Sequence, residues 1–90
     1  MAAAEYRSLA SDAQRLAARV ERYRAGVVLP AQQRTQAALA GYRSNQVPLM
    51  TLFEARHAEV DTQRKLLNLQ RDLAKVQAQL AFKPVSGGAQ

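Results

Sequence analysis

His57 is the one histidine of the chain, with Glu54 three residues before it and Asp61 four after it. On a helix that spacing brings all three side chains to one face, an arrangement that can hold a cation. A closed metal site wants four ligands, and neither a second histidine nor a cysteine is present to complete one. The spacing therefore points to an exposed face with a local histidine–carboxylate contact and no metal. Glu59 and Thr62 form a second group: both fall on seam positions, where a buried carboxylate is costly unless paired, and an arginine from a neighbouring helix is its expected partner. Glycine-rich phosphate loops and nucleophile elbows are missing from the sequence, and no acid or base has a partner in a pocket. These residues imply neither enzyme nor cofactor.

The elements that carry them read as helices. From Tyr6 the apolar positions run Tyr6, Leu9, Ala13, Leu16, Val20, Tyr23 and Val27, alternating steps of three and four, which is one stripe of a helix. The stripe then slips by one position to Val28, Ala31, Thr35, Ala38 and Tyr42. The slip coincides with Gly26 to Pro30, where two helix-disfavouring residues stand close together, and predicts a kink, a short break, or two shorter helices meeting there.

Ser44-Asn45-Gln46-Val47-Pro48 reads as a reversal, because Asn45 tolerates the left-handed conformation of a helix C-cap and Pro48 suits the first turn of a new helix. Thr51-Leu52-Phe53-Glu54 is also a capping box, so the second helix starts either with Pro48 in its first turn or with Thr51 as N-cap. Its seam is Leu52, Ala55, Glu59, Thr62, Leu66, Leu69, Leu73, Val76 and Leu80, with Phe53, Val60, Leu67, Ala74 and Ala81 widening one flank. A stripe this wide suits a helix with more than one packing neighbour.

The expected fold is all-α: a long antiparallel helical hairpin, or coiled coil. Its first helix covers 1–43 with a kink or break at 26–30, its tip turn 44–50, its second helix 51–82, and a disordered proline- and glycine-rich tail 83–90. At about 1.5 Å per residue the two arms span roughly 60 and 50 Å. Ninety residues in two helices cannot surround a three-dimensional core, so the seam is expected to want a partner and the chain to self-associate. A net charge of +6 could suit nucleic acid, but the arginines are dispersed and interleaved with Glu21, Glu54, Glu59, Asp61 and Asp72, which argues against it. Without cysteine the redox compartment stays open. The start has neither a basic segment nor an apolar run, so no secretory signal is read there, and no stretch of about 18 apolar residues spans a bilayer.

The turn carries a resemblance. The stretch from Gly41-Tyr42-Arg43 through Leu52-Phe53-Glu54-Ala55-Arg56 is similar to the repeat signature of TolC-like outer-membrane efflux proteins, in which tyrosine-arginine, a glycine turn and a leucine-rich, acid-alanine element follow one another. Upstream, Tyr23 to Pro30 followed by an Ala- and Gln-rich helix resembles the family's tyrosine, Val-Leu-Pro and long-helix pattern. Leu66 through Phe82 looks like the heavy-metal branch found beside tripartite cation exporters. Asn45 stands where the family usually has glycine, Pro48 where it often has serine, and Arg56 where glutamine is common.

The resemblance implies a trimeric parent of several hundred residues, with strands forming an outer-membrane pore and helices forming a periplasmic tunnel. This chain would be its carboxy-terminal helical pair, a fragment of a longer exported precursor. Asn45, Gln46, Val47, Pro48 and Leu49 would form the periplasmic tip that docks the adaptor protein. Leu9, Leu16, Val20, Tyr23, Leu52, Leu66, Leu69, Leu73, Val76 and Leu80 would form the seam that packs against other helices of the barrel. The membrane would be met only through the parent's strands. The competing reading is an autonomous helical-hairpin scaffold whose partner is another helix.

Overall fold

The computed structural model describes residues 3–82. The predicted tail, 83–90, lies outside them. The protein is an all-α hairpin, 67 × 17 × 12 Å along its principal axes. One arm is α1 (Ala3–Tyr23), a π turn (Arg24–Val28) and α2 (Leu29–Arg43); the other is α3 (Leu49–Phe82).

The slip in the first stripe is resolved without a break. Tyr23, Val28 and Leu29 all keep right-handed helical angles, and the Leu29 N–H bonds to the Arg24 carbonyl, five residues back. A π turn holds one residue more than the α turn it replaces, and that residue rephases the seam. Val28 is thereby turned inward at 4% exposure, while Val27 is exposed at 37%. Pro30 follows at once in the first turn of α2, where its missing N–H costs least.

The arms run antiparallel. Leu16 and Val76 share one groove, Tyr23 and Leu69 a second, and Val28 and Leu66 a third. Continued toward the turn, this ladder sets Glu59 level with Thr35, on the stretch where α2 presents the small residues Ala31, Thr35 and Ala38. Among the described residues the buried apolar set is only Val20, Val28, Ala31 and Ala38, and no large side chain is fully buried. Each valine so buried contributes about 1.5–3 kcal/mol, and the alanines less. The rest of the predicted seam, Leu9, Leu16, Tyr23, Leu52, Leu66, Leu69, Leu73, Val76 and Leu80, is half-buried. The hairpin is thus a pair of helices joined along a seam that they cover only in part.

Candidate functional site: the hairpin tip and the open seam

The tip is built by a Schellman turn. Asn45 takes φ 61°, the left-handed conformation that asparagine tolerates better than most residues. Gln46 N–H then donates to the Gly41 carbonyl at 2.7 Å and Asn45 N–H to the Tyr42 carbonyl at 3.0 Å, the two bonds that define this helix end. Val47 N–H adds a longer bond to Gly41 O at 3.3 Å. The Ser44 hydroxyl donates to the carbonyls of Ala40 and Gly41, at 3.0 and 3.2 Å. The orphan carbonyls of Ala40, Gly41 and Tyr42 at the end of α2 are satisfied locally, which leaves the outer side chains of the turn free.

α3 opens at Leu49, the earlier of the two starts the sequence allowed. Pro48 precedes it, and the Pro48 carbonyl accepts the Thr51 N–H at 3.0 Å, so Thr51 sits inside the first turn and does not cap it.

The predicted tip residues divide into two kinds. Val47 is half-buried, folded back on Gly41; Asn45, Gln46, Pro48 and Leu49 are exposed. The apolar surface extends further along the helix than residues 45–49. Leu49 and its neighbour Met50 are 40% and 61% exposed, and Phe53, one turn on, is 57% exposed. On a helix Leu49 and Phe53 are four residues apart and Met50 and Phe53 three, so the three cluster on one side. Phe53 lies outside the expected docking residues 45–49, and its i+4 spacing from Leu49 is the signal that joins it to them.

Glu59 is the one buried charged residue among the described positions, at 7% exposure. In place of the expected arginine from a neighbouring helix, the partner comes from its own helix: Arg56 Nη1 lies 3.1 Å from Glu59 Oε1. Gln63 Nε2 donates to the other oxygen at 3.2 Å, and Thr62 Oγ1 donates to the Glu59 carbonyl at 2.7 Å. Residues three and four apart on one helix reach each other without any help from the opposite arm, and this local solution wins. No buried side-chain nitrogen or oxygen among the described residues lacks a partner.

His57 Nε2 lies 3.6 Å from Asp61 Oδ2, and both side chains face solvent. Among the described residues no three His, Cys, Asp or Glu side chains group closely enough to hold a metal ion. No described helix is long and apolar enough to cross a membrane.

No protein-family model matches the chain, and neither a curated protein nor a solved structure matches it. The geometry itself therefore defines the class: an elongated helical hairpin with a hydrogen-bonded turn, an exposed apolar tip and an incompletely covered seam.

Proposed function

We propose that this hairpin is the carboxy-terminal helical pair of the periplasmic tunnel in a TolC-like outer-membrane efflux duct, possessing the tip that docks a periplasmic adaptor protein. The duct would belong to a tripartite export system of the heavy-metal branch, and its action is assembly and passive conduction, without turnover. The observation that carries the reading is the exposed cluster of Leu49, Met50 and Phe53 at the end of a 67 Å rod, held by a hydrogen-bonded Schellman turn. Solvent-exposed apolar side chains grouped on a rigid element are what a docking surface requires. The half-buried seam supports the second part of the reading, that other helices of a trimeric barrel cover both flanks.

Val47 is better read as part of the turn than as part of the contact, because its side chain is spent on Gly41. The test is to place Leu49→Asp and Met50→Asp in the full-length parent and measure adaptor binding by titration, together with efflux. Loss of binding with normal duct assembly supports the proposal. Unchanged binding and efflux in both variants rules it out.

One feature favours the competing scaffold reading. Val20, Val28, Ala31 and Ala38 are buried by the hairpin alone, and its turn closes on itself. An autonomous hairpin binding a partner helix would use the same open seam without a duct.

A further inference from the structure

One face of the hairpin combines an apolar floor with a cationic rim. Leu16 and Tyr23 of α1 and Leu69 and Val76 of α3 line two adjoining grooves between the arms, joined by Arg19, which borders both. All four apolar side chains are half-buried, whereas Arg19, Arg22 and Lys65 on the rim are exposed. Arg15, also on the rim, is engaged by Asp12. Arg19, Arg22 and Lys65 make no ion pair among the described residues.

We infer that this face binds an acidic amphipathic helix, one with an apolar stripe flanked by Asp or Glu. The inference needs neither a duct nor an adaptor, so it stands apart from the function proposed above. Three arguments select this occupant. The floor lies between two helices, where the ridge of a third packs and where a flat lipid surface cannot reach. Nucleic acid would satisfy the cations but leave Leu16, Tyr23, Leu69 and Val76 uncovered. A second copy of the chain, with a net charge of +6, can cover the floor only at the cost of setting cations against cations, so it associates here more weakly than an anionic helix binds. A helix with carboxylates beside its stripe covers the floor and pairs with Arg19, Arg22 and Lys65 together.

The probe is a synthetic three-heptad peptide with a leucine stripe flanked by glutamates, titrated against the full 90-residue chain by fluorescence anisotropy. A peptide with the same stripe flanked by lysines, a duplex oligonucleotide and phosphatidylglycerol vesicles are titrated in parallel. The glutamate peptide is expected to bind at least about tenfold more tightly than the lysine peptide, and less tightly as salt is raised. Arg19→Glu with Arg22→Glu is expected to reverse the preference between the two peptides. If circular dichroism shows that this pair unfolds, Arg19→Gln with Arg22→Gln replaces it and is expected to abolish the preference. Leu49→Asp, at the tip, leaves peptide binding unchanged, so failure at the groove is distinguishable from failure of adaptor docking. Equal affinity for both peptides, no binding of either, preference for the oligonucleotide or vesicles, or selectivity untouched by the arginine substitutions overturns the inference.

Discussion

The side chain of Val47 closes over Gly41: a β-carbon on Gly41 would stand 3.1 Å from Val47 Cγ2 and 3.3 Å from Cγ1. Glycine in the last turn of α2 therefore serves the return of the chain. The two residues are coupled through space across the reversal, and the coupling has a measurable sign. In a Val47→Ala background, Gly41→Ala is expected to raise stability by about 0.5–1 kcal/mol through helix propensity. With Val47 present the same change is expected to gain nothing or to destabilise. A double-mutant cycle by thermal denaturation checks this, and additive effects would show that the contact carries no energy.

Asn45 is held at φ 61°. Asn45→Gly is expected to preserve or raise Tm, since glycine adopts this conformation without a Cβ penalty. Asn45→Val is expected to cost about 1–2 kcal/mol, because a β-branched side chain crowds the left-handed backbone. Equal Tm for the two variants would contradict the turn geometry.

Glu59 is buried and is neutralised by Arg56, whose own side chain is 57% exposed. Arg56→Ala leaves the carboxylate with Gln63 alone and is expected to cost about 1–2 kcal/mol, less than a fully buried pair because water reaches the arginine. Glu59→Leu removes the charge together with its desolvation and is expected to leave stability unchanged or to raise it by about 1 kcal/mol. Urea denaturation of the two variants checks the order, and a larger loss in Glu59→Leu than in Arg56→Ala would contradict it.

The π turn makes the most specific prediction about the fold. Val20 and Val28 are both buried but stand eight residues apart, one more than a heptad. Deleting Val27 sets them seven apart and makes the seam one unbroken coiled-coil stripe. Pro30 then falls deeper in a regular α-helix, where it would cost about 3 kcal/mol, so the deletion is combined with Pro30→Ala. This double change is expected to retain full helicity with a higher Tm. Deleting Ala25 and Gly26 together throws α2 out of phase and is expected to lower both. The reverse order in circular dichroism melts would show that the extra residue does not set the phase.

These cases show how far the sequence could be read. The seam and its slip at Val27 and Val28 were legible because 3.6 residues per turn ties side-chain direction to spacing. The backbone form of the slip was not, since a kink, a break and a π turn all rephase a stripe by one residue. Asn45 was legible from residue type, as few other residues accept a positive φ. The inward turn of Val47 was hidden because it depends on Gly41 meeting it in space. Arg56 could have been found as the partner of Glu59 from its i−3 spacing, but choosing between a local and a cross-hairpin partner requires the placement of both arms. Met50 was legible as an exposed apolar residue of the tip, whereas the reach of the tip to Phe53 depends on where α3 starts, and the sequence allowed two starts.

The central claim is that the seam is built for neighbours beyond the hairpin. Sedimentation velocity of the 90-residue chain over a wide concentration range, with circular dichroism on the same samples, tests it most directly. The account predicts strong helicity with association that grows with concentration, because half-buried leucines from Leu16 to Leu80 gain by covering one another. A sharply melting, fully helical monomer at every concentration would contradict it and would show that two helices complete the fold.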